Sequence, residues 1–373
     1  MSLRTGRNIC VLAISFLMLI LAAACGVTGN GSEDRPVDGE SPESGGSRGG
    51  TDREPISRME SAYLGTVISI AVHDTDVDES AIAALLDDCF TEIAGIDARM
   101  SVNKDSSEVS EINRNSGGEY IAVSNELYEL IGSAVSFSER SGGAFDISVG
   151  PVMELWKLDG EFARLPSPDE IREKLPLVNY NMIELEAPNR VRLSIPGMSL
   201  DLGAIAKGYA CDRVTDMLRA AGVKHAVIDM GGNIYVVGGK LDGSDWRVGI
   251  RTPLAGENGI VCRLQLKDAT AVTSGGYERF FEDNGRVYNH LLDTKTGYPA
   301  DSGLLSVTIV ADSSSGADAY STSCFILGLE KGMALIEGSG FEGIFITNDM
   351  KVHVTPGLAD AVEVVDERFE AAE

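Results

Sequence analysis

The chain has 373 residues, 57 of them acidic against 31 basic, for a formal charge of −26. That balance excludes nucleic acid or an anionic membrane surface as the main partner, so an anionic ligand must be held by helix N-termini, a metal ion or a few lysines. With 43% hydrophobic and 24% charged residues the composition is that of a globular enzyme with room for one large or two modest domains.

Residues 1–25 read as an export signal, in which Arg4 and Arg7 precede the apolar run VLAISFLMLILAAA, too short and too close to the start for an ordinary membrane span. LAAAC, ending at Cys25 and followed by Gly26, resembles a bacterial lipobox, so Cys25 is the expected lipidation site; with Ala22 in place of the usual Leu, plain cleavage is the alternative. Residues 26–57 are Gly, Ser, Pro and acid and predict a flexible tether, which leaves 58–368 as the folded body. The expectation is an exported lipoprotein, membrane-anchored, with that body outside the cytoplasm.

In the body, TVISIAV predicts a strand, and Ile82, Leu85, Leu86, Cys89, Phe90 and Ile93 predict a helix over 80–100. A second helix is expected from Ser124 through Leu127, Leu130, Ile131, Ala134 and Val135, stopping at Gly142-Gly143. The segment SGGAFDISVGPVMELW brings Asp146 beside a glycine-rich backbone that a ligand can approach, though alone it reads better as a helix cap, a turn and a buried strand. A third helix, over 204–221, opens near Gly203 in SLDLGAIAKGYACD. Asp201 then stands before it and Lys207 about one turn inside, an anion site or simply a cap and a solvated lysine.

The strand candidates HAVIDM, IYVVGG, WRVGI, CRLQL, VYNHLLD and LLSVTIV follow, and strands with segregated helices indicate an α+β fold. Between 275 and 303 lie Tyr277, Arg279, His290 and Asp293 among glycines, with His290, beside Asp293, the leading acid/base candidate. In GADAYSTSCFILG, Asp318 and Thr322 are four apart and share a helix face. They are hard oxygen donors suited to Mg²⁺, although alone they read better as a helix cap and a hydroxyl bonded back to the preceding turn. Cys89, Cys211, Cys262 and Cys324 show no Cys-x-x-Cys spacing and are expected as buried thiols, with pairing open to an exported protein.

Together AYLGT, MSVNKDSSEVSEIN, GGAFDISVGP, LDLGAIAKGYACD, DMGGNIYVVGG, TSGGYERFF, NHLLDTKTGYPA and DAYSTSCFILG resemble, in order, the ApbE family, the FAD:protein FMN transferases. The resemblance implies a mixed α+β fold with FAD in a cleft. It also implies an enzyme that cleaves the FAD pyrophosphate, releases AMP and joins FMN to a threonine or serine hydroxyl of a target protein, such as an exported redox subunit. By position, Asp318 and Thr322, with the Ala204 carbonyl, are implied as Mg²⁺ ligands. Leu64, Asn103, Ala144, Phe145, Asp146, Asp201, Lys207, His290 and Leu292 are implied as flavin-binding residues, with His290 and Asp318 the catalytic pair. Leu64 stands where the family commonly has Met, and Asn103 where many members carry an aromatic ring. The second departure keeps two alternatives open, an FAD pyrophosphatase releasing free FMN and a lipid-anchored FAD-storage protein.

Overall fold

The computed structural model describes residues 54–158, 163–254 and 256–372. The expected signal, Cys25 and the tether as far as residue 53 lie outside the described residues. β1 (Ile56–Tyr63), starting two residues inside the expected tether, and β2 (Thr66–Val72) form a hairpin, followed by α1 (Glu79–Met100) and α2 (Glu108–Arg114). β3 (Ile121–Ala122), α3 (Asn125–Arg140), α4 (Gly150–Trp156), α5 (Pro168–Lys174), β4 (Ile183–Glu186) and β5 (Arg190–Leu193) lead to α6 (Ala206–Ala220). Next come β6 (Ala226–Met230), β7 (Asn233–Val237), β8 (Trp246–Arg251), β9 (Ile260–Leu266), β10 (Ala269–Gly275), β11 (Phe280–Asp283) and β12 (Arg286–Asn289). β13 (Leu304–Ala311), α7 (Ser314–Leu327), α8 (Leu329–Ile336), β14 (Glu342–Thr347), β15 (Lys351–Val354), β16 (Val362–Val364) and β17 (Glu370–Ala371) complete an α+β chain.

A nine-stranded sheet, ordered β1-β2-β6-β7-β10-β13-β14-β15-β17, is antiparallel except for its last pair. The period-two alternation of its strands sends Ile68, Ile70, Ile228 and Tyr235 to one face, where they meet Ile93, Val214 and Leu218 of α1 and α6 in the largest core. Val236, Ala271, Val310 and Ile344 leave the other face and pack against Ile250, Val261 and Leu264 of the small sheet β16-β9-β8. A fourth cluster, built on Trp156, Ile171 and Tyr288, fastens the β11–β12 hairpin to α4 and α5.

The expected strand over 66–72 and the helices at 80–100 and from Ser124 are present, the last with Ser124 as its cap and Gly142 and Gly143 both left-handed behind it. Three readings are corrected. Residues 150–156 form helix α4, not a buried strand, because Pro151 fits the first turn of a helix and Val152 and Trp156, one turn apart, reach the same core. The expected strand VYNHLLD ends at Asn289, because the Asn289 side-chain oxygen accepts the Leu291 N–H at 2.9 Å and turns the chain there. The third helix opens at Ala206, not Gly203, because the Asp201 carboxylate accepts the Gly203 N–H at 2.7 Å and Ile205 is not helical (φ −147°). Lys207 is therefore in the first turn.

Candidate active site

One cleft of about 3320 Å³ gathers all the residues expected to bind flavin or metal. Its first wall is the β1–β2 turn, where Leu64 and Gly65 both take positive φ in a two-residue type I′ hairpin. Leu64 is a poor residue for that conformation, and it is held by Asp97, whose carboxylate accepts the Leu64 N–H at 3.0 Å while pairing with Lys104. Asn103 stands exposed in the turn after α1. Ala144, Phe145 and Asp146 line the cleft behind the two left-handed glycines. The Asp146 carboxylate accepts Ser148 N–H at 2.8 Å, Ser148 Oγ–H at 2.6 Å and Tyr180 N–H at 3.0 Å, so it braces the 144–148 loop; burial pushes its pKa up.

The centre of the cleft is the contact between α6 and α7. Gly208 has no Cβ, and one placed there would stand 2.3 Å from the Ser314 carbonyl oxygen, so the two helices meet backbone to backbone. Asp212, one turn further along α6, caps α7 by accepting Ser314 N–H at 2.6 Å and Ser315 N–H at 2.9 Å. With Ser313 as its cap, α7 carries Asp318 on its second turn, not at its start.

Asp318 is 3% exposed and its Oδ2 accepts the Gly208 N–H at 3.0 Å. In an unbroken helix that N–H would bond to the carbonyl of Ala204 four residues back. Diverted to Asp318, it leaves the Ala204 carbonyl with no backbone donor among the described residues, at the edge of the cleft. Oδ1 of Asp318 has Lys207 Nζ at 3.5 Å, too long to use up its lone pairs. Thr322 lies one turn on, its hydroxyl 3.4 Å from Ser274 Oγ. The hydroxyls that bond back to the preceding turn belong to Ser321 and Ser323, while Tyr320 and Cys324 pack into the core behind.

His290 faces the cleft with Nδ1 at 3.3 Å from the Arg279 carbonyl. A carbonyl only accepts, so Nδ1 carries the proton of the neutral ring and Nε2 is its basic nitrogen. Asp293, expected beside it, is outside the cleft lining and shapes the following turn through the Lys295 N–H at 2.9 Å. Leu292 lines the cleft while packing on the Trp156 cluster. Glu278 was missed by sequence reasoning. It lines the cleft with its side chain open to solvent, and the surrounding protein raises its pKa against the pull of Lys207 and Arg279. Asp229, buried in the cleft wall and pushed by that burial to about 6, accepts the Gly232 N–H at 2.8 Å. Among the described residues there is no cluster of three or more His, Cys, Asp or Glu that could hold a metal by itself.

Residues 64–345 match the ApbE family. This chain belongs to the ApbE family. A Treponema pallidum protein named FAD:protein FMN transferase is 36% identical over 340 residues, which span 87% of this chain and 93% of its own. A Klebsiella pneumoniae protein of the same name is 36% identical over 271 residues, 72% of this chain and 84% of its own. The crystal structure of the ApbE protein of Thermotoga maritima superposes with a TM-score of 0.74 at 31% identity, over 83% of this chain and 99% of that one. Pseudomonas stutzeri flavinyl transferase ApbE does so at 0.73 and 27% identity, over 83% and 96%. The chain thus shares the overall fold of these two ApbE structures.

Proposed function

We propose that the protein is an FAD:protein FMN transferase, moving FMN from FAD onto a target protein. The observation that carries the reading is the set at the α6–α7 contact: Asp318 fixed by Gly208 N–H, Lys207 beside it, and the Ala204 carbonyl left without its helical donor in the same cleft. In finer terms, the hydroxyl oxygen of an acceptor threonine or serine attacks the FMN phosphorus. The bond from that phosphorus to the bridging oxygen breaks, AMP leaves with the oxygen, and a phosphodiester joins FMN to the acceptor. His290 Nε2 takes the hydroxyl proton. Lys207, in the first turn of α6, offsets the charge on the pyrophosphate.

The donor set fits Mg²⁺. Asp318 Oδ1, Thr322 Oγ1 and the Ala204 carbonyl are hard oxygens, too few for a closed cage but enough for a cation that keeps waters and takes phosphate oxygens. When bound, Mg²⁺ supplies positive charge at the pyrophosphate. Residues 1–25 support placing the enzyme outside the cytoplasm on a lipid at Cys25, next to an exported redox subunit as acceptor.

The test incubates the protein with FAD, Mg²⁺ and a candidate acceptor domain and reads AMP and covalent flavin together. The wild type is expected to yield both, and Asp318→Ala to lose about 10²–10³-fold in rate; wild type that yields neither sinks the reading. A second outcome, hydrolysis of FAD to FMN and AMP, is favoured by the exposed Asn103, which offers no ring for a base to stack on. It falls if FAD stays intact with enzyme and Mg²⁺ until acceptor is added.

A further inference from the structure

The cleft extends well past the Asp318 centre, and its far arm has an unusual wall. Side chains alternate across a strand, so a cavity lying on a sheet face touches every second residue. β9 behaves that way from Val261 onward, giving Arg263 and Gln265 but neither Cys262 nor Leu264. β8 does not, because all six of its residues, Trp246 to Arg251, line the cleft. A cavity that meets six consecutive residues meets the strand along its edge. β8 is the outer strand of β16-β9-β8, and among the described residues no strand pairs with its other side. From Trp246 to Ile250 the backbone groups on that side, which no strand covers among the described residues, therefore look into the cleft.

The strand also runs toward the reaction centre. Arg251, at its inner end, stands over the Tyr277 ring at 5.8 Å, next to Glu278. At its outer end the Trp246 indole N–H, buried and lining the cleft, has no acceptor among the described residues. In a chain with charge −26, the face beside this edge carries Arg247, Arg251 and Arg263. Arg263 pairs with Glu363 at 3.4 Å, but both side chains are about half exposed or more, so the pair is weak and the local field stays positive. Asp242 and Asp245, in the loop before the strand, line the cleft at its Trp246 end, so the positive stretch of the wall is the one from Arg247 to Arg251 with Arg263 beside it.

We infer that β8 is the docking edge for the acceptor polypeptide. The acceptor enters in extended form, adds as a strand to β8, and carries acidic side chains opposite Arg247 and Arg263, with its hydroxyl residue at the Arg251 end. Main-chain hydrogen bonds then supply the grip and alternate side chains the selectivity. This rests on the transferase reading above and names how its protein substrate is recognised.

The experiment uses the whole protein with FAD, Mg²⁺ and a synthetic library of nine-residue peptides with a central threonine and randomised flanks. Flavin-bearing products are sequenced by mass spectrometry. Acidic residues are expected to be enriched at every second position on one side of the threonine. In the double variant Arg247→Glu/Arg263→Glu the enrichment should turn basic, and KM for the best wild-type peptide should rise about tenfold with FAD affinity unchanged. N-methylation of alternate amides of that peptide should abolish transfer in one phase and spare it in the other. Enrichment that the variant leaves unaltered, or basic enrichment in the wild type, which would point to the acidic β11 edge, overturns the inference. So does AMP release with no peptide ever labelled, since the acceptor is then not read as an extended segment. Absence of AMP release altogether strikes the transferase reading instead.

Discussion

At the scale of single residues, two buried carboxylates define how the cleft responds to substitution and to pH. Asp97 holds the Leu64 N–H in a left-handed turn, so Asp97→Ala leaves that donor unpaired at a strained position and should cost about 1–3 kcal/mol in thermal denaturation, with weaker FAD binding. An unchanged melting temperature would remove Asp97 from the site's support. Asp229 titrates from 3.8 in the unfolded chain to about 6 in the fold, because burial disfavours its charge. The protonated form is thus the one the fold prefers. Its contribution to stability is complete below about pH 4 and is lost as pH rises through 6, roughly 3 kcal/mol in all. Asp229→Asn should flatten the pH profile of unfolding in that window, and a profile that superimposes on the parent's refutes the assignment. Asp97 was legible in principle, since it falls four residues after Ile93 on the apolar face of α1. Glu278 was not, because nothing near it in sequence shows that α6 and α7 will stand beside it.

At the scale of elements, the α6–α7 contact is the device that makes a site from two ordinary helices. Gly208 permits the approach, Asp212 caps the neighbour, and the diverted Gly208 N–H fixes Asp318 while releasing the Ala204 carbonyl. Gly208→Ala places a methyl 2.3 Å from a backbone oxygen that cannot move alone. It should cost about 1–3 kcal/mol by calorimetry, and AMP release should fall as well, because Asp318 loses its register against Lys207. Loss of stability with full activity would mean that the helices separate without disturbing the site. Periodicity found α1, α3 and α6, whose apolar faces repeat at helical spacing. It misread α4, where the short Val-Met-Glu-Leu-Trp run, buried only at Val152 and Trp156, gives period two and period 3.6 too few positions to differ.

At the scale of the whole molecule, the four described cysteines belong to the cores and not to chemistry. All are free and buried, and burial pushes Cys89 to about 11 and Cys262 and Cys324 to about 12, with Cys211 raised as well. Iodoacetamide at pH 8 should label none of them in the native protein and all four in guanidinium, read by mass spectrometry; rapid native labelling of any one would show that its core opens. The sequence alone determined the acidic character, the α+β class, the principal amphipathic elements and, through eight ordered motifs, the family. Those are properties of local composition, period and spacing, which a linear chain displays. Only the tertiary structure decided that Asp318 answers to Gly208, that Ala204 loses its helical partner, that Glu278 stands in the field of Lys207 and Asp318 and that β8 turns an open edge into the cleft. Each of these depends on distance between segments far apart in the chain, and sequence spacing does not encode that distance.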